Sequence, residues 1–417
     1  MKRSSLAVVV LFLGIQVFAH NQVSKVSFNP DDLESFSPLP KFSFQWCPKE
    51  YKDFLADTID LRSCDLSKYH LTALPKETLG KIDFDDKTIW PKKMPEWLDL
   101  HKIYQISKTA GLHLKDLHKQ GITGRGVNIA IIDQALSPHQ EYNKNIAFYK
   151  NFTGQKRGEM HGAAVASIAV GNSVGVAPDA KLYYVAANFS NYNRERKIFN
   201  AKPIAEAINY VLDLNKTLSE KDRIFVISIS RGFGKEDFGR KEFLQTIKRA
   251  EKEGVLILTT NDVAGINRRD YYVNPQNRDS FIYAPVWDKD LSNTKEETRL
   301  AVPNDYRVLA SPTGEKDYVG YADGGLSWAV PYLAGIAALA KQVKPDLTPE
   351  EFLDTAFKTA QSVLVKTKDG KQTAQINTFV NPQALIKELQ SRKIVPNEHK
   401  ENVKDLESKL KSLQEKK

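Results

Sequence analysis

The sequence predicts an α/β protein: a doubly wound, mostly parallel sheet with helices on both faces, preceded by a separate amino-terminal region. Two observations predict it. From Val127 onward, short strand-like runs alternate with helix-like stretches, and the runs are apolar on both faces rather than at every second position. Such runs suit strands covered on both faces. Residues 20 to about 120 lack this texture; they are rich in Pro, Asp and Lys, with short apolar pieces and no sustained period.

Taken in order, Lys2 and Arg3 precede an apolar run from Leu6 to Ile15, followed by Val17-Phe18-Ala19. Residues 1–19 therefore read as a secretory signal, because the run is too short to span a bilayer. An exported chain, periplasmic or extracellular, is the expectation. The only cysteines are Cys47 and Cys64. In an oxidising compartment they can pair, which would contribute roughly 3 kcal/mol. The alternative is two free buried thiols.

The strand-like runs are Val127–Ile132, Lys181–Ala186, Ile224–Ser230, Val255–Thr260 and Tyr306–Ala310. Helix-like stretches lie at Ala163–Val170, Ile204–Leu214 and Phe243–Lys252. Thr348-Pro349-Glu350-Glu351 reads as a helix start, with Thr348 as cap and Glu351 closing a capping box. Residues 391–417 form a charged tail, in which Val403, Leu406, Leu410 and Leu413 make a narrow stripe at helical spacing. The expected division is 1–19, 20–120, 121–390 and 391–417.

Composition is globular, at 41% hydrophobic and 27% charged, and the net charge is +9. The lysines are spread along the chain without a basic block or an aromatic-basic signature, so no nucleic-acid partner is expected. A basic surface-binding protein has charge alone in its favour.

One stretch tests the reading. Between Asp323 and Lys341 no residue is charged, yet Ser327 and Pro331 interrupt the run. It is short for a membrane span, and no stable membrane insertion is expected. A buried helix fits better, starting near Ser327 so that Pro331 falls in its first turn or so, where amides lack intrahelical partners. A serine there has its own N–H at the positive end of the helix dipole, a place that favours a developing anion. Most serines at helix starts are only caps. Chemistry requires a base and an orienting carboxylate. His20, His70, His101, His113, His118 and His399 lie in the amino-terminal region or the tail. That leaves His139, in a loop after a strand, and His161, directly before a small-residue helix. Asp133 ends the apolar run of "GRGVNIAIID", at the strand end where α/β sheets carry their sites.

These residues resemble the subtilisin-like serine proteases. Asp133, then His161-Gly162-Ala163-Ala164-Val165-Ala166, then Gly325-Leu326-Ser327-Trp328-Ala329-Val330-Pro331 follow the family's Asp, His, Ser order. Asn261, ending "VLILTTN", stands where the family has its oxyanion asparagine. The resemblance covers roughly residues 120 to 387. It implies catalysis by Asp133, His161, Ser327 and Asn261, with polypeptide substrates lying along Ser230, Arg231 and Gly232. Arg231 is unusual in a segment that is apolar in the family; it reads either as a preference for acidic side chains or as an arginine facing solvent. Ala163, Ala164, Trp328 and Tyr332 depart from the motifs, but none is a triad position. No cofactor is expected. A structural calcium ion is allowed by the resemblance, but the loop Gly171-Asn172-Ser173-Val174 is short and does not support it. Residues 20–120 read equally as a propeptide, acting as an intramolecular inhibitor, or as an accessory domain. Two rivals to a serine endopeptidase are a weak or inactive binding protein on the same fold and an acid-active Glu-Asp-Ser enzyme, for which Glu159 would be the acid and which the His161-Gly162 context opposes.

Overall fold

The computed structural model describes residues 28–37, 47–49, 51–55, 59–75, 82–96, 99–188, 191–193, 198–266, 298–366 and 373–392. The expected signal, residues 1–19, and the tail stripe from Val403 to Leu413 lie outside the described residues.

A parallel sheet forms the centre. Its strands run in the order Ile146–Asn151, Lys181–Ala186, Asn128–Asp133, Ile224–Ile229 and Leu256–Thr259. The all-apolar texture has the cause expected of it. Ile129 and Ile131 face a core shared with the helices Met160–Val170 and Leu326–Val343, whereas Ala130 and Ile132 face the helices Lys202–Thr217 and Arg240–Lys252. Both faces of the strands Asn128–Asp133 and Ile224–Ile229 are thus buried along their whole length, so period-2 alternation is absent there. The fold is a doubly wound α/β sandwich, and Asp133 ends its central strand.

The helices Met160–Val170 and Leu326–Val343 pack on one another. Below, they are the histidine helix and the serine helix. Ala329, Ala334, Ala337 and Ala338 are fully buried in the serine helix. Small side chains bring the two helices and the sheet into close approach. Among the described residues no helix is long and apolar enough to cross a membrane.

Three expectations change. Tyr306–Ala310 lies within the strand Asp305–Ala310, which is not part of the parallel sheet; it forms an antiparallel hairpin with Tyr318–Asp323. The connection from Ser311 to Asp317 is too short for the crossover that a parallel return needs. Pro331 sits in the second turn of the serine helix rather than its first, since the helix begins at Leu326. The consequence is local, because the missing N–H is the one that Ser327 O would have received. Ser230 Oγ donates to Ser327 O instead, at 2.9 Å. At the Pro349–Lys358 helix Thr348 Oγ1 accepts from Glu351 N, 3.1 Å. The Glu351 carboxylate pairs with Lys344 and Arg392, so only half of a capping box is made.

The amino-terminal region has a small core of its own, including Phe54, Leu61, Cys64, Leu66 and Phe84. Cys47 and Cys64 form a disulfide. The region is also woven into the rest. The strand Ile82–Asp85 pairs antiparallel with Tyr318–Asp323, and Ile59–Asp60 extends the sheet beyond it.

Candidate active site

Asp133, His161 and Ser327 come from three elements whose ends converge. Asp133 is the last residue of the central strand, His161 the second residue of the histidine helix, and Ser327 the second residue of the serine helix. His161 Nδ1 donates to Asp133 Oδ1 at 2.7 Å. The same oxygen accepts from Gln134 N at 2.8 Å. Gln134 returns the contact, since its Oε1 accepts from His161 N at 3.3 Å. The Asp133 side chain is fully buried, and that of His161 is 23% exposed. One face of the imidazole thus reaches the surface while its partner stays dry.

Gly162 makes this approach feasible. A Cβ there would lie 2.7 Å from both Gln134 O and Tyr184 Oη. Any side chain would lift the helix off the strand end that carries Asp133.

The charges follow from this packing. Burial alone would push the His161 imidazole down. The Asp133 charge and hydrogen bond, with Glu159 adding, outweigh burial and hold it above the ordinary 6.5. Glu159 is half-buried, and its carboxyl is pushed up chiefly by burial, with Asp133 contributing.

Ser327 is partly exposed, and its N–H belongs to the first turn, which has no intrahelical partners. Its hydroxyl donates to Ser230 O at 3.4 Å, a long contact. Among the described residues it makes no hydrogen bond to His161. Asn261 follows the strand Leu256–Thr259 and is exposed. One of its amide protons goes to Phe233 O at 3.0 Å, which leaves the second available.

Ser230, Arg231 and Gly232 continue from the strand Ile224–Ile229 past Ser327. Thr260 N donates to Arg231 O at 3.1 Å. Among the described residues no hydrogen bond takes up the Gly232 N–H or carbonyl. A Cβ on Gly232 would meet Asn261 Oδ1 at 2.6 Å and Thr260 Oγ1 at 2.8 Å. The glycine therefore makes room for Asn261. Arg231 does not simply face solvent: its guanidinium stacks on Phe199, 3.4 Å from the ring centroid, and burial pushes its pKa down. A groove of about 1390 Å³ has Phe233, Thr259 and Asn261 in its lining, but Asp133, His161 and Ser327 do not line it.

His139, the other candidate base, is fully buried, with Nε2 against Asp317 O at 2.8 Å and Nδ1 accepting from Glu141 N at 3.1 Å. It serves packing. The loop considered for calcium is tied down by Glu141. That buried carboxylate accepts from Ser173 N at 2.8 Å, from Ser173 Oγ at 2.5 Å and from Tyr318 Oη at 2.5 Å. A carboxylate saturated by donors does not fit a calcium ligand, and among the described residues no cluster of three His, Cys, Asp or Glu would hold a metal.

The sequence did not mark Gln134, whose only signal was adjacency to Asp133. Glu159, noted from sequence as the acid of a Glu-Asp-Ser rival, stands here as a charged neighbour of His161. Trp328 lies beside the imidazole, with ring centroids 5.5 Å apart. Its position next to Ser327 marked it, but not which residue it would touch.

Residues 124–383 match the subtilase family. The chain is 25% identical over 300 residues to the M-protease of Shouchella clausii (strain KSM-K16), covering 69% of this chain and 71% of that protein. It is 25% identical over 256 residues to Subtilisin Savinase of Lederbergia lenta, covering 59% of this chain and 87% of that one. The solved structure of the prenylagaramide maturation protease PagA matches 66% of this chain and 98% of its own, with a TM-score of 0.48 and 16% identity. The chain belongs to the subtilase family of serine endopeptidases.

Proposed function

We propose that the chain is an exported endopeptidase that cleaves polypeptides through an acyl-enzyme. The observation carrying this reading is the 2.7 Å bond from His161 to the buried Asp133 carboxylate, at the foot of the helix that packs on the Ser327 helix. Ser327 Oγ attacks the peptide carbonyl while His161 Nε2 takes its proton. Collapse of the tetrahedral intermediate expels the amine, which receives that proton from His161, and water then repeats the sequence on the ester. Asp133 fixes the imidazole tautomer and stabilises the imidazolium. The Ser327 N–H and the second Asn261 amide proton hold the oxyanion. Substrate runs as an added strand beside Ser230-Arg231-Gly232, where the Gly232 peptide groups have no hydrogen-bond partner among the described residues. The Ser327 hydroxyl leaves Ser230 O and turns to His161 when substrate arrives, since such bonds are often loose in unliganded enzymes.

Export is supported by residues 1–19 and by the Cys47–Cys64 disulfide, which suits an oxidising compartment. A second reading, a peptide-binding chain of weak catalytic power, is favoured by the Ser327–Ser230 contact. Digestion of a peptide library separates the two. The wild type is expected to cut many peptides internally and Ser327→Ala none; equal cleavage by both, or by neither, would overturn the endopeptidase mechanism.

A further inference from the structure

We propose that the amino-terminal region is a retained part of the working enzyme, a brace that positions the His161 ring through Arg62, Tyr321 and Trp328. The proposal rests on His161 being the catalytic base.

The brace begins with backbone. Ile82–Asp85 pairs with Tyr318–Asp323 through Val319↔Asp85 and Gly320↔Phe84. Ala322 N donates to Asp83 Oδ1 at 2.8 Å, and Lys87 pairs with Asp317 at the start of the strand. That strand runs through Gly324 and Gly325 directly into the helix bearing Ser327. Whatever fixes the strand fixes the helix start.

Side chains then carry the contact to the imidazole. Arg62 is held in a two-point pair with Asp60, at 2.8 and 2.5 Å, and its side chain is 7% exposed. Its guanidinium lies 5.8 Å from the Tyr321 ring centroid. Tyr321 meets Trp328 edge-on at 5.6 Å, and Trp328 meets His161 at 5.5 Å with the planes tilted by 41°. Both Tyr321 and Trp328 are buried. Trp328 Nε1 has no partner among the described residues, so the indole is there for its shape and ring face. Gly324 lies directly beneath it: a Cβ at that position would fall 1.5 Å from Trp328 Cδ1. Asp133 fixes the imidazole through Nδ1, and Trp328 blocks the ring from swinging away from Ser327.

The contacts also argue against removal. An inhibitory propeptide would cover the cleft. Among the described residues, residues 34–37 bond to Leu136, Lys156, Gly158 and Pro312 rather than to Ser230, Gly232 or Asn261. Taking the region away would strip a strand from Tyr318–Asp323 and uncover Tyr321.

The test uses the full-length protein. The intact mass of fluorophosphonate-labelled, active enzyme is expected to include Arg62 and both cysteines. An equally active labelled chain beginning after residue 107 would overturn the proposal. In steady-state kinetics on a peptide substrate, Trp328→Ala is expected to lower kcat roughly 10- to 100-fold with KM within about twofold, the scale of a misplaced catalytic group. Trp328→Phe should recover most of the loss, and Arg62→Met should lower kcat in the same way but less. Unchanged kcat in Trp328→Ala and Arg62→Met, or a rise in KM alone, would contradict the brace. Should Trp328→Ala not fold, Arg62→Met and the mass decide. Activity surviving in Ser327→Ala would instead sink the triad on which the proposal rests.

Discussion

At the scale of single residues, the proposed mechanism makes His161 the group that sets the pH dependence. Its imidazole is held above 6.5 by Asp133, so the neutral base appears only at higher pH. kcat/KM should rise with pH through a midpoint above 6.5. Glu159→Gln removes one negative neighbour and should move that midpoint down, which pH–rate profiles of the two enzymes will read; an unmoved midpoint counts against Glu159 as a neighbour of the base. The same interaction bears on stability. A folded value raised above the unfolded one gives stabilisation that is complete below about 6.5 and is lost as pH rises through the folded value. Asn261→Ala should cost on the order of 10²–10³ in kcat, the loss known for the matching asparagine of subtilisin. Asp133 and His161 were legible because each ends or begins an apolar run. Trp328 was visible as an anomaly only, since its partners Tyr321 and His161 arrive by folding.

Among elements, the serine helix has the sharpest local conflict. Pro331 deprives Ser327 O of its helical donor, and Ser230 Oγ replaces it at 2.9 Å. Ser230→Ala should therefore destabilise the protein by about 1–3 kcal/mol, the cost of a polar group left unpaired. Pro331→Ala restores an N–H and should cancel part of that loss. A double-mutant cycle in urea checks the coupling, and strict additivity would contradict it. Four strands of the parallel sheet were legible because burial on both faces leaves a largely apolar run; the edge strand Ile146–Asn151, with Lys150 exposed, was not. The hairpin Asp305–Ala310 with Tyr318–Asp323 was not, because direction depends on the connection and on a partner strand, Ile82–Asp85, more than 200 residues away in the chain. Strand preference is largely a matter of such context. The start of the serine helix was legible to within one residue, Leu326 against an expected Ser327, and that residue carries Pro331 into the second turn.

For the whole molecule, the amino-terminal region is where sequence left two readings open. Its Pro- and Asp-rich composition has no period because its core is small and is stapled by Cys47–Cys64. Replacing both cysteines by serine should cost roughly 3 kcal/mol of stability in that region, read as a lower urea midpoint. An unchanged midpoint would remove the staple from the account. The region meets the protease domain on the strand Tyr318–Asp323, which leads into the helix carrying Ser327, so the proposed brace and the proposed nucleophile are joined through one strand. The central claim, that Ser327 is a nucleophile activated by His161 and Asp133, has a direct test. Purified protein is treated with a fluorophosphonate and the adduct is located by peptide mass analysis. An adduct is expected on Ser327 in the wild type, absent from Ser327→Ala and nearly lost in His161→Ala. A wild type that stays unlabelled, or one labelled at another serine, would contradict it.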